Sequence, residues 1–135
     1  MASTQWVNEY VGIPFIMKGR SRAGADCWGL VRIVLAEHYE VFVPSLSVFY
    51  DDLSTATIVP LVGVMQESRN FTKVDAPQEG DIVLMTFFGQ PCHVGICIDA
   101  DHVLHSDPLG RSSSRVERLA SPRISTRIEG YYRVG

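Results

Sequence analysis

Cys27 is the residue around which chemistry would be organised. In Gly24-Ala-Asp-Cys27-Trp-Gly-Leu-Val31 it follows an aspartate and opens an apolar run. Asp26 is a good helix N-cap, and Leu30, Val31, Val34 and Leu35 recur at helical spacing, so a helix is expected from Cys27 to His38. A cysteine in the first turn sits where unpaired N–H groups and the positive dipole end favour the thiolate, which is the nucleophilic form. On position alone, a small apolar residue at a helix start is an equally good account. His93 shifts the balance, because an imidazole can take the thiol proton and return it to a leaving amine. It opens an apolar strand in which Val94, Ile96 and Ile98 share one face and His93, Gly95 and Cys97 the other. Gly95 is expected to let a helix end approach that second face. His105 closes the following strand in His102-Val-Leu-His105; if the two strands pair, it can lie beside His93 and orient its ring. His102 reads as a solvated turn residue, and His38 as a complement to a helix C-terminus.

Other chemistries fit less well. Cys92, His93, Cys97, His102 and His105 are crowded enough to suggest zinc, but strand alternation points Cys92 and His93 to opposite faces, and no Cys-x-x-Cys pair exists. A serine nucleophile lacks its Gly-x-Ser-x-Gly elbow; Ser112 to Ser114 reads as loop. The chain has 3 cysteines and no basic, apolar leader in Met1 to Tyr10, so free thiols are expected rather than a disulfide framework. A net charge of −3 without clustered Lys or Arg argues against nucleic acid as partner. No apolar run approaches the roughly 18 residues of a membrane span.

These residues need elements to hold them. At 135 residues, one domain covering 1–135 is the expectation, with 46% apolar and 20% charged residues as in ordinary globular proteins. Trp6 to Gly12 reads as a short helix and Ile13 to Ala25 as loop. A second helix is expected over Leu53 to Glu67, disturbed by Pro60. Strands are expected at Ile82–Phe88, His93–Asp99, Val103–Ser106, Arg115–Leu119 and Ile128–Val134. A helical first half and a strand-rich second half give an α+β domain, its helix packed on an antiparallel sheet.

Four blocks taken together, Gly24 to Val31, Gly80-Asp-Ile-Val-Leu84, His93-Val-Gly-Ile96 and Val103-Leu-His105-Ser106, resemble the NlpC-type cysteine peptidases, over about Gly12 to Arg133. Trp28 after the nucleophile and the closing Arg127-Ile-Glu-Gly-Tyr-Tyr-Arg133 resemble the branch found in bacteriophage tail-assembly proteins. The resemblance implies a papain-like α+β fold and hydrolysis of peptidoglycan stem peptides, typically between γ-D-glutamate and a diamino acid. It implies Cys27 as nucleophile, His93 as base and His105 as third polar residue, with Phe15, Asp26 and Trp28 on the substrate side. Neither metal nor organic cofactor belongs to the pattern. Phe15 stands where many members carry Tyr, so the oxyanion site would rest on the Cys27 backbone N–H and its neighbours. Trp28 replaces a small residue; packing is the preferred reading and a narrowed cleft the other. The implied partners are the stem peptide and phage tail-tip proteins, with Phe42, Phe49 and Tyr50 of the Tyr39–Asp52 stretch, and the last strand, as docking candidates. The implied itinerary is synthesis in the bacterial cytoplasm, carriage in a tail and action at the cell wall. Alternatives are a structural tail-tip component with weak or no activity, a related thiol acyltransferase or amidase, and an injected toxin.

Overall fold

The helix expected from Cys27 to His38 forms over those residues (α1, Cys27–His38) in the computed structural model, which describes residues 5–16, 18–43, 71–87, 90–106 and 113–134. Asp26 is extended and its side chain accepts from the Gly29 N–H at 2.8 Å, which satisfies one of the donors a helix start leaves over. At the other end Glu40 turns left-handed (φ 57°) and the Val41 N–H returns to the Leu35 carbonyl at 2.8 Å, closing the last turn. Burial goes beyond the expected stripe: Cys27 to Val31 and Ile33 to Leu35 are all buried. The reason lies in what precedes the helix. A short 3-10 helix, Gln5–Tyr10, and a two-rung hairpin, β1 (Arg20–Ser21) with β2 (Gly24–Ala25), cover the side that the sheet does not. Full burial of Leu30, Val31, Val34 and Leu35 stabilises the fold by roughly 1.5–3 kcal/mol each.

The sheet has six strands: β3 (Phe71–Val74), β4 (Ile82–Phe87), β5 (Gln90–Cys97), β6 (His102–His105), β7 (Arg115–Arg118) and β8 (Ile128–Val134). Their order is β3-β8-β4-β5-β6-β7, and every pairing is antiparallel. Ile82, Leu84, Val94, Ile96 and Leu104 face α1, while Val83, Met85, Cys97 and Val103 face away and are covered by Leu119 and by Ile124 of α2 (Pro122–Ser125). The sheet is therefore buried on both faces. This is an α+β architecture, a helix packed on an antiparallel sheet, as expected.

Several expectations change in detail. The N-terminal helix is of the 3-10 kind, the loop before α1 contains the β1–β2 hairpin, and β3 had not been anticipated. Strand β5 begins at Gln90, so Cys92 lies within it and not ahead of it. The expected helix over Leu53–Glu67, and Phe49 and Tyr50, lie outside the described residues. No helix among the described residues is long and apolar enough to cross a membrane.

At the end of the sheet where β4 begins, Asp81 is buried (2% exposed). Its carboxylate accepts from Gln78 N–H at 2.8 Å and from Arg133 of β8 at 2.9 and 2.8 Å. Gly80 precedes it at φ 89°, a conformation glycine adopts without strain.

Candidate active site

The local sequence puts Cys27 at the first helical position, and its surroundings are built by Asp26. Besides capping Gly29, the Asp26 carboxylate accepts from Lys18 N–H at 2.9 Å and from the Arg20 guanidinium at 2.8 Å. Asp26 is 2% exposed, and this bonding makes it a structural pin for the nucleophile's turn and for the loop ahead of it. The loop lies very close: a Cβ built on Gly29 would stand 2.0 Å from the Gly19 carbonyl oxygen, so only glycine fits there. Trp28, next in sequence, has no exposed surface and packs in the core with its ring 6.3 Å from that of Phe71. Burial supports the packing account of Trp28 and gives it no face toward a cleft. Phe15 is half-buried.

The imidazoles come together as the strand register requires. Strands β5 and β6 pair with Gly95 opposite His105, which sets His93 diagonal to it, and His93 Nε2 lies 2.9 Å from His105 Nδ1. Gly95 serves a different purpose from the one expected. A Cβ there would meet Val103 at 2.6 Å and His105 Cβ at 3.0 Å, so it accommodates the neighbouring strand, not a helix end. His93 sits opposite Met85, and the ladder shifts register just beyond, with Thr86 opposite Pro91, so residue 92 is the extra one of a bulge. Bulges of this kind re-aim the side chains beside them.

The chain of contacts continues past His105. Its Nε2 meets the Glu117 carboxylate of β7, and Glu117 in turn holds Arg123 at 2.7 Å and Arg115 at 3.3 Å. Glu117 was not among the expected site residues. A signal existed in the alternation of Arg115 and Glu117, which places opposite charges on one face of a strand. Both histidines are buried, His105 completely and His93 to 2% exposure. Burial pushes the His93 pKa well below the ordinary imidazole value of 6.5, and His105, Arg127 and Arg115 act in the same direction. His93 is therefore a neutral imidazole at rest, the form a general base requires. For Glu117, burial works to raise the carboxyl, but the hydrogen bond from His105 and the charges of Arg115 and Arg123 outweigh it and hold the group ionised below its usual range.

A run of backbone contacts joins the loop ahead of α1 to the strand beside His105. The Ala25 N–H bonds the Pro14 carbonyl, Pro14 bridges Ser113, and the strand that follows, β7, pairs Arg115 with His105. His93, His105 and Glu117 form a continuous hydrogen-bonded relay across β5, β6 and β7. The remaining histidines lie elsewhere. His102, at the far end of β6, is partly exposed and bonds Asp99 at 3.0 Å, while His38 at the end of α1 stacks on Trp6 at 3.9 Å. Cys97 is buried, and desolvation pushes its thiol up to about 12, with Asp81 and Asp99 adding to the effect. An open cavity of about 800 Å³ lies at the His102 end, lined by Pro77, Arg118, Leu119, Ile128 and Tyr131, and so is remote from His93.

Comparison with known proteins agrees with this architecture. The profile of the NlpC/P60 family matches residues 12–132. The fold is similar to the NlpC/p60 domain of the peptidoglycan hydrolase SagA (TM-score 0.61, 19% identity), covering 96% of this chain and 92% of that one. It is similar to an NlpC/P60 family protein from Bacillus cereus ATCC 10987 (TM-score 0.65, 24% identity), covering 93% of this chain and 36% of that larger one. The P60 domain of an antigen from M. avium subspecies paratuberculosis is a further match (TM-score 0.54, 20% identity, 90% of this chain and 86% of that). No curated protein sequence matches significantly. With an Asp-Cys helix start, a buried pair of strand histidines and a family profile spanning nearly all of its length, this chain belongs to the NlpC/P60 family.

Proposed function

We propose that the protein is a cysteine hydrolase of the bacterial cell wall, cutting peptidoglycan stem peptides between γ-D-glutamate and a diamino acid. The observation that carries this reading is the buried His93–His105 pair at 2.9 Å, backed by Glu117, in a chain whose Asp26-Cys27 block opens a capped helix. In the reaction, His93 takes the thiol proton as Cys27 Sγ attacks the scissile carbonyl. The carbonyl oxygen becomes an anion, stabilised by backbone N–H groups of the first helical turn, Cys27 among them. Collapse to the thioester expels the amine, which receives its proton from His93. Water, deprotonated by His93, then attacks the thioester, releasing the carboxylate and restoring the thiol. Phe15 has no hydroxyl to add to the oxyanion site, so the helix start bears that role.

The reading extends to a working place in a phage tail, with tail-tip proteins carrying the enzyme from the cytoplasm to the wall. Its support is the Trp28 block and the closing Arg127 to Arg133 motif, together with Phe42, which is 82% exposed beside the helix end. The second reading, a structural tail component, is disfavoured by the buried His93–His105–Glu117 relay, because desolvating ionisable groups costs stability that a purely structural core would avoid. Incubation with purified muropeptides and mass spectrometry of the products decides between them. Release of stem peptides with intact sugar chains is expected; shortened glycans with intact peptides, or no products at all, would overturn the hydrolase. Co-purification with tail particles tests the carrier.

A further inference from the structure

We infer that Glu117 is a positioning residue that fixes the tautomers of both imidazoles and thereby selects Nδ1 of His93 as the basic atom. The inference rests on the cysteine-hydrolase reading above. An ionised carboxylate can only accept, so the nitrogen facing Glu117, His105 Nε2, must carry a proton. His105 is buried completely and Glu117 is already matched by two arginines, so the ring stays neutral; a neutral imidazole holds one N–H, and His105 Nδ1 therefore keeps its lone pair. The 2.9 Å contact is then made by a His93 Nε2–H donating to His105 Nδ1. The lone pair of His93 is left on Nδ1, and that nitrogen is the one able to remove a thiol proton. Were the chain of bonds reversed, His93 would present an N–H there and could not act as base.

Glu117 is well held for this task. Arg123 occupies Oε1 at 2.7 Å and Arg115 approaches Oε2 at 3.3 Å, and the side chain is 15% exposed. Both arginines donate only, so the pair demands acceptors on both oxygens. A glutamine in this place has one acceptor and one donor group. It must turn its NH2 either toward an arginine, where nothing accepts, or toward His105 Nε2, which reverses the tautomers. Glu117 has a second effect. When His93 takes the thiol proton inside a buried site, the relay places a fixed negative charge two bonds away, opposing the desolvation that disfavours imidazolium.

The test compares wild type, Glu117→Gln and Cys27→Ala, with tautomers read by nitrogen-15 NMR of the histidine rings and kcat and KM read on muropeptides. Both buried rings are expected as Nε2–H tautomers in wild type, with a mixed or reversed population in Glu117→Gln. The variant is expected to retain its fold and to lose at least about tenfold in kcat with KM little changed. A His105 ring in the Nδ1–H form in wild type would overturn the inference. So would unchanged kcat in Glu117→Gln alongside an inactive Cys27→Ala. If Cys27→Ala keeps full activity, or wild type cleaves nothing, the hydrolase reading fails instead, and the tautomers still decide the role of Glu117.

Discussion

Replacing Asp26 by Ala should unfasten the nucleophile's turn, and the cost can be worked from its bonds. Loss of the cap on the Gly29 N–H costs about 1 kcal/mol. Loss of the acceptor for the Lys18 N–H, in a partly buried loop, costs roughly another 1 kcal/mol. The Arg20 side chain is only 15% exposed and would keep the Gly19 carbonyl as acceptor, so losing its charged partner adds about 1.5–3 kcal/mol. Because these bonds share one carboxylate and the loop can relax, the sum overstates the effect, and about 3 kcal/mol is the expected loss. For a domain of this size that lowers Tm by roughly 10 °C. Asp26→Asn keeps an acceptor for the cap but not the charge, and should cost about half as much. Urea unfolding followed by circular dichroism measures both. A loss below about 0.5 kcal/mol for Asp26→Ala, the size of an ordinary surface change, would refute the idea that Asp26 pins this turn.

Other expectations follow from single contacts. Gly29→Ala should destabilise although alanine is the better helix former by roughly 1 kcal/mol, because the new Cβ meets a backbone oxygen at 2.0 Å; a more stable variant in thermal melts would contradict the close approach. The depressed pKa of buried His93 means the unfolded chain binds a proton that the folded chain refuses, so stability should be fully present above the ordinary value of 6.5 and decline as pH falls below it. His93→Gln should flatten that decline in chemical-denaturation curves taken between about pH 5 and 7. An alkylating reagent near neutral pH should label Cys27 and spare Cys97, whose thiol is pushed up to about 12; peptide mapping that finds Cys97 modified in the native protein would contradict its burial. His93→Ala should abolish turnover and slow Cys27 alkylation, as read by labelling rates on the mutant.

How far the sequence carried the reading depended on whether a signal was local. The bounds of α1 were legible because Asp26, the apolar stripe and His38 mark its ends and face within one segment. Strands β4 and β8, with their Ile, Val and aromatic residues, were equally plain, whereas β5 starts three residues ahead of the apolar run that marked it. The pairing of His93 with His105 followed from two neighbouring strands joined by a tight turn. By contrast, β3 alternates weakly, with Thr72 and Lys73 both exposed, and is a strand only because β8 pairs with it from the other end of the chain. Glu117 escaped for a similar reason. Its meaning depends on His105 and Arg123, which reach it through sheet register and the turn after β7. Asp26 as cap and Trp28 as packing were legible from the helix start itself; the substrate side that the family resemblance implied for them does not fit the burial of both.

Strand β8 lies in an interior lane, between β3 and β4, although it is formed by residues 128–134. The meander β4-β5-β6-β7 is assembled from neighbours in sequence and can pair early, whereas β3 has no lane until β8 arrives from more than fifty residues downstream. During synthesis on the ribosome, Ile82, Leu84 and Val83 of β4 would wait with one row of backbone groups unpaired. The seven residues of β8 therefore act as a latch for the whole sheet. A chain stopped before Ile128 should be aggregation-prone, and a separate peptide spanning Ile128 to Val134 should be able to enter the vacant lane and restore it, which makes this seam a natural place to split the protein into two complementing parts.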